Sequence, residues 1–178
     1  MKNRSTFIIL FLALALAGGY VFLKQHTRNS IPSEQSSAGG HPPVQAPKFA
    51  LKDIAGDPVI FSDYLGKAVV INFFATWCPP CKTEIPGFVK IYNQYRNQGL
   101  EIIGISLDSD PEKVLPEFIS ELNINYSVAI GTTEMLSKYG GVQSIPTTFF
   151  INRKGEITNV HMGFLDVETF EREAKKIL

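Results

Sequence analysis

The sequence predicts an α/β domain in which a mixed central sheet carries helices on both faces. Two observations lead there. From Ala68 onward, short apolar runs rich in Val, Ile and Phe alternate with helical patterns, which implies parallel crossovers. The last two such runs are joined by Asn152-Arg153-Lys154-Gly155, a tight turn that makes one edge of the sheet antiparallel. No internal repeat is present, and a length of 178 residues suits one domain with a short appendage.

Each element has a local reason. Phe49–Leu51 and Val59–Phe61 flank an Asp/Gly/Pro-containing turn and read as a hairpin. Ala68–Phe74 is a buried strand. A helix follows from about Pro79 to Gln98, because proline is tolerated in a first turn whose N–H groups have no intrahelical partner. Pro86 lies inside it and is expected to kink it, and Gly99 suits its stop. Leu100–Leu107 is a second buried strand. Pro111–Leu122 is helical, with Asp110 as its cap and Pro116 a local disturbance. Tyr126–Ile130 is a short strand, and Thr133–Tyr139 a short helix stopped by Gly140-Gly141. Thr147–Ile151 and Glu156–His161 form the closing hairpin. Asp166 caps a last helix with Val167, Phe170, Ala174 and Ile177 on one face.

Both cysteines of the chain fall in Trp77-Cys78-Pro79-Pro80-Cys81, where the first buried strand turns into the first long helix. Cys78 is expected at the N-cap and Cys81 one turn inside. The positive end of the helix then favours thiolate at the outer sulfur, and thiolate is the species that attacks disulfides. A structural disulfide closing so short a loop removes little unfolded-state entropy. Zinc needs about four ligands, and His26, His41 and His161 stand at no finger-like spacing, so no metal is expected. His161, on a strand, reads as structural. Dithiol/disulfide exchange is the leading reading of the motif. Pro80, at the second helical position, has no N–H to give the sulfur, which leaves only that of Cys81. Thiolate stabilisation is therefore limited, and the pair is expected to be reducing or intermediate rather than strongly oxidising.

The charge balance is zero over the chain, with 17 basic and 17 acidic residues, and no basic cluster points to nucleic acid. Phe7–Leu23 is apolar and uncharged, with Lys2 and Arg4 ahead of it. As a helix it reaches roughly 25 Å, the lower limit for a bilayer core of ~30 Å. Positive charge before it holds the N-terminus inside and sends the remainder outward. Ala15-Leu16-Ala17 resembles a cleavage site of a secretory signal peptide. Tyr20–Leu23, however, continue the apolar stretch beyond any cut there, which favours an anchor at 1–23. Residues 24–47, rich in Ser, Gly, Pro and Gln, read as a flexible linker, and 48–178 as the folded domain.

The segment Val70-Ile71-Asn72-Phe73-Phe74-Ala75-Thr76-Trp77-Cys78-Pro79-Pro80-Cys81-Lys82-Thr83-Glu84-Ile85-Pro86 resembles the active-site stretch of the TlpA/ResA/CcmG-type, membrane-tethered thiol-disulfide oxidoreductases of bacteria. Gly141–Phe149 is similar to the thioredoxin segment that carries a cis-proline loop. Asp108, with the helix and strand after it, resembles the central insertion of the tethered group. The resemblance runs from about Phe49 to the C-terminus. It implies a thioredoxin fold with an N-terminal β-hairpin and a central insertion. It also implies an exposed, attacking Cys78 and a buried, resolving Cys81, with their disulfide as the only redox group and no further cofactor.

Other roles follow from the same resemblance. Asn72 stands where ordinary thioredoxins carry a buried aspartate, and a neutral amide cannot serve as a base for Cys81. Glu84 is the nearest substitute, and the resemblance implies that an acid there tunes the cysteines. A solvated first-turn carboxylate, favourable to the helix dipole, is the other reading. Pro146 on sequence alone is a strand-start proline. The resemblance makes its bond to Ile145 cis and leaves the Ile145 backbone free to pair with a substrate peptide. Trp77, Pro79 and Pro80 would border that peptide, although Trp77 equally suits packing. The implied partners are protein thiols and disulfides, including the cysteines of apocytochrome c, and a membrane electron donor; the domain itself is expected to be a monomer on the outer side of the bacterial membrane, or secreted if the leader is cut. The rivals are a disulfide oxidase or isomerase, a peroxiredoxin-like peroxidase, and a non-enzymatic copper-binding or redox-sensing module. The Pro-Pro dipeptide argues against the first, the absent Thr-x-x-Cys context against the second, and the short cysteine spacing against the third.

Overall fold

The computed structural model describes residues 44–178. The expected anchor at 1–23 and most of the expected linker lie outside the described residues. No helix among those described is long and apolar enough to cross a membrane.

The strands are β1 (Val44–Gln45), β2 (Ala50–Lys52), β3 (Pro58–Ile60), β4 (Ala68–Phe74), β5 (Leu100–Ser106), β6 (Ser127–Ile130), β7 (Thr147–Ile151) and β8 (Glu156–Met162); the helices are α1 (Pro79–Tyr95), α2 (Pro111–Glu121), α3 (Thr133–Lys138) and α4 (Val167–Ile177). The main sheet runs β1-β8-β7-β4-β5-β6, and β2 and β3 form a separate hairpin. β4, β5 and β6 are parallel, whereas β7, β8 and β1 add antiparallel neighbours on the other side. This is the thioredoxin fold, with mixed sheet, N-terminal hairpin and central insertion as expected.

Every residue of β4 is buried, because the strand is central and both of its faces are covered. Period-two alternation divides it. Val69, Ile71 and Phe73 point toward a cluster containing Phe49 and Phe61, which flank the β2–β3 hairpin, Met135 of α3 and Tyr139 at its C-cap. Ala68 and Val70 join Phe88, Ile91, Phe150 and Phe170 under α1 and α4. Asn72 has the parity of Ala68 and Val70, so the strand delivers a polar side chain into the layer between sheet and helices. Cross-strand pairing sets Thr148 of β7 opposite Asn72.

Four local expectations need correction. The folded chain starts before residue 48. Val44 and Gln45 pair with Ile157 and Glu156, the N–H of Ala46 donates to Gly155 O at 2.8 Å, and Ala46 is buried. A two-residue strand shows no periodicity, so composition alone assigned it to the linker. Phe61 leaves the hairpin for a 3-10 turn over Phe61–Tyr64. Asp110 occupies the N-cap of α2 but makes no side-chain cap bond; its backbone carbonyl accepts from Lys113 and Val114 instead. Tyr126 precedes β6, its ring set edge-on to Tyr92 at 6.1 Å. By contrast, Asp166 accepts from Thr169 N–H at 2.8 Å and caps α4 as its position suggests.

Gly131 closes β6, donating its N–H to Ser106 O at 2.8 Å, and a Cβ there would sit 2.7 Å from that same oxygen. Backbone cannot yield as a side chain can. Gly131→Ala should therefore lose about 1–3 kcal/mol, read as a lower urea midpoint at unchanged slope. An unmoved midpoint would show that this corner of the sheet relaxes freely.

Candidate active site

Cys78 takes the N-cap of α1 with extended backbone (φ −91°, ψ 107°), and its Sγ accepts the Cys81 N–H at 3.3 Å. The turn ahead of it is closed by Cys78 N–H donating to Ala75 O at 3.2 Å. The two cysteines form a disulfide with Cα atoms 5.3 Å apart. Cys81 is wholly buried, but Cys78 is only 3% exposed in this oxidised state, far less open than an exposed nucleophile implies. Trp77 is the large open surface beside them, at 68% exposure. Pro79 and Pro80 are also exposed. Ile145 is half-buried against the cysteine-containing cluster, and its peptide bond to the buried Pro146 is cis. Gly163 N–H donates to Pro146 O at 2.8 Å, which brings the turn after β8 to the same rim. Met162 at the end of β8 and Phe164 in that turn are large, exposed and absent from the sequence expectations. A groove of about 310 Å³ runs from Thr76 and Trp77 to Lys82, Lys113 and Phe118.

Glu84 is not a solvated first-turn carboxylate. It lies in the second turn of α1 on the face that also buries Cys81, Ile85, Phe88 and Ile91, and it is 2% exposed. One of its oxygens accepts from Asn72 Nδ2 at 2.9 Å, and the other accepts the Leu165 N–H at 3.0 Å. Asn72 Nδ2 also donates to Thr148 Oγ1 at 3.0 Å, while Asn72 Oδ1 finds no partner among the described residues. Burial penalises the charge and pushes the Glu84 carboxyl up from 4.5 to about 7, against the two donors, which pull it down. Where an ordinary thioredoxin holds one buried acid on the strand, the acid here is on the helix and the strand supplies its hydrogen-bond donor.

A second carboxylate shapes the approach to Cys78. Asp108, just past β5, accepts the Thr76 N–H on both oxygens at 3.1 Å and the Thr76 hydroxyl at 2.7 Å. Ser106 Oγ donates to it at 2.9 Å. Sequence separation hid this contact, since both residues are polar and sit in loops far apart along the chain.

A match to the AhpC/TSA family spans residues 43–160. The chain belongs to that family. Thiol-disulfide oxidoreductase ResA of Halalkalibacterium halodurans is 30% identical over 174 residues, 96% of this chain and 94% of that protein. ResA of Bacillus cereus is 30% identical over 177 residues, 99% of this chain and 98% of that one. Among solved structures, a thiol:disulfide interchange protein of the thioredoxin family from Chlorobium tepidum TLS is 31% identical with a TM-score of 0.71, over 77% of this chain and 97% of that chain. This AhpC/TSA-family protein is a thioredoxin-fold thiol-disulfide oxidoreductase of the ResA type.

The buried acid gives this AhpC/TSA-family enzyme a pH-dependent stability whose sign is fixed. The folded carboxyl titrates near 7 and the unfolded one near 4.5, so between those values the folded state holds a proton that the unfolded state lacks. Stability contributed at this position therefore falls as pH rises through that window and stays low above it, by an amount on the order of 3 kcal/mol. Glu84→Gln should remove the slope. Its amide can donate to Asn72 Oδ1 once that group turns, while its oxygen keeps the Leu165 N–H. Urea midpoints should then rise at pH 8 and change little at pH 4.5; a gain confined to acid pH would reverse the assignment.

Proposed function

We propose that this enzyme is an exported, membrane-anchored reductase of protein disulfides, with Cys78 attacking and Cys81 resolving. The observation that carries the direction of flux is the cap. Cys78 Sγ receives a single backbone N–H, from Cys81, because Pro80 occupies the position that would offer another. A strong oxidant owes its potential to an unusually stable thiolate, and one donor supplies little of that.

In the first step the Cys78 thiolate attacks one sulfur of the substrate disulfide, and the other sulfur leaves as a thiolate that takes a proton. Cys81 then loses its proton to Glu84, the buried carboxylate one turn along α1, and attacks Cys78 Sγ. This expels the second substrate thiol and forms the Cys78–Cys81 disulfide. Two electrons pass to the substrate, and a membrane electron donor returns them. Ile145, beside the cis bond, offers backbone to an extended substrate segment bordered by Trp77, Pro79 and Pro80. The cysteines of apocytochrome c before haem attachment fit this chemistry and agree with the relationship to ResA. The anchor is the apolar segment within residues 1–23, preceded by Lys2 and Arg4, with the domain on the extracytoplasmic side.

The deciding experiment is the reduction potential of the pair, by equilibration with glutathione. A value below about −220 mV supports a reductant, whereas one near −120 mV belongs to an oxidase of secreted proteins and overturns the reading.

A further inference from the structure

The loop that opens the central insertion reaches back to the turn before the disulfide. Asp108 is its contact. Three donors converge on one carboxylate: the Thr76 N–H, the Thr76 hydroxyl and the Ser106 hydroxyl. Ser106 Oγ in turn accepts the Asp108 N–H at 3.2 Å, which fixes the carboxylate from its own backbone. The end of β5 is braced from the other side by Gly131 N–H on Ser106 O. The bond from Cys78 N–H to Ala75 O closes the turn around Thr76. Asp108 thus grips the middle of the segment that presents Trp77 and the outer sulfur.

The charge of Asp108 has no direct ionic partner, although Lys82, Lys113 and Glu117 line the groove that also contains Thr76. It takes part in none of the ion pairs formed among the described residues, and its three partners are neutral. Two residues of extended chain span about 7 Å, and the closed turn shortens that path. The carboxylate sits one hydrogen bond beyond Thr76, so its charge lies within roughly 10 Å of the Cys78 backbone, where 0.1 M salt screens it only in part. A negative charge so placed opposes ionisation of the thiol and disfavours the reduced pair relative to the neutral disulfide.

We propose that Asp108 is a positioning residue of the exchange reaction: its carboxylate locks the Ala75–Cys78 turn through Thr76 and, as an unpaired charge, keeps the Cys78–Cys81 pair reducing. This rests on the reading of Cys78 as the attacking sulfur. It assigns the insertion a task at the active site, which the fold alone does not.

Two variants of the full chain separate grip from charge. In Asp108→Asn the side-chain oxygen can still accept from Thr76 and the amide can donate to Ser106, so the grip stays and the charge goes. Asp108→Ala loses both. Alkylation by iodoacetamide as a function of pH, with the modified cysteine located by mass spectrometry, should show the Cys78 thiol titrating about 0.5–1 pH unit lower in both variants. The exchange equilibrium with glutathione at pH 8 should move about threefold toward the dithiol in both, following that shift. Only Asp108→Ala should also raise KM for insulin reduction several-fold. An unchanged profile and equilibrium in Asp108→Asn, with Cys78 still the alkylated residue, overturns the proposal and leaves the exchange reaction standing. Alkylation of the wild-type dithiol at Cys81 rather than Cys78 overturns the assignment of the attacking sulfur, and this inference with it.

Discussion

Cys81→Ser is expected to stop catalytic turnover and to accumulate a covalent adduct between Cys78 and its protein substrate. The variant keeps the attacking sulfur at the cap but removes the only other thiol in the chain, so the mixed disulfide has no internal route to release. Serine is close in size to cysteine, and position 81 is fully buried, so the helix start should survive. The bond from the residue-81 N–H to Cys78 Sγ comes from the backbone and persists. Cys78→Ser should show neither turnover nor adduct. Non-reducing electrophoresis followed by mass spectrometry of the crosslinked peptide reads both outcomes. An adduct through Cys81 in Cys78→Ser, matched by none through Cys78 in Cys81→Ser, would exchange the two roles and remove the basis of the mechanism.

The largest effect on stability should come from Phe170→Ala. Phe170 is fully buried and stacks on Phe88 with ring centroids 4.0 Å apart and planes inclined by 20°; Phe150 of β7 lies 5.9 Å away. One side chain thus joins α4, α1 and the sheet. Truncation removes its transfer free energy, its aromatic contacts and the support for two neighbouring rings. The expected loss is about 3–5 kcal/mol, against a total of roughly 5–15 kcal/mol for a domain. Urea unfolding followed by circular dichroism should show the midpoint falling steeply at unchanged slope. A loss below about 1 kcal/mol would mean that the cluster collapses around the vacancy and that the two helices do not depend on this contact.

The parts of the molecule governed by local chemistry were legible in the sequence. β4 runs from Ala68 to Phe74 as its apolar run does, α1 starts at Pro79 with Cys78 as cap, and Asp166 caps α4. Gly99, at φ +91°, ends the turn after α1 where a left-handed residue is needed. What escaped was decided by tertiary contact. Glu84 reads equally well as a solvated first-turn carboxylate or as an acid that tunes the cysteines until α1 is laid on β4 and the Leu165 backbone arrives to meet it. Parity along β4 could have signalled that Asn72 points at the helix layer, but it names no partner. The hold of Asp108 on Thr76 carries no periodic signal at all. Met162 and Phe164 are ordinary residues in the sequence and become notable only because the turn after β8 folds onto the Pro146 loop. The cis bond at Pro146 was visible only through family resemblance, since composition and spacing read a strand-start proline.

The pairing of Val44 and Gln45 with β8 fixes where the described chain enters the main sheet. The chain enters beside Ile157, whereas the rim formed with the Pro146 loop lies at the other end of the same strand, by Met162. Five residues of strand put about 17 Å between the two points. The strand that opens the described fold and the disulfide rim thus lie at opposite ends of β8.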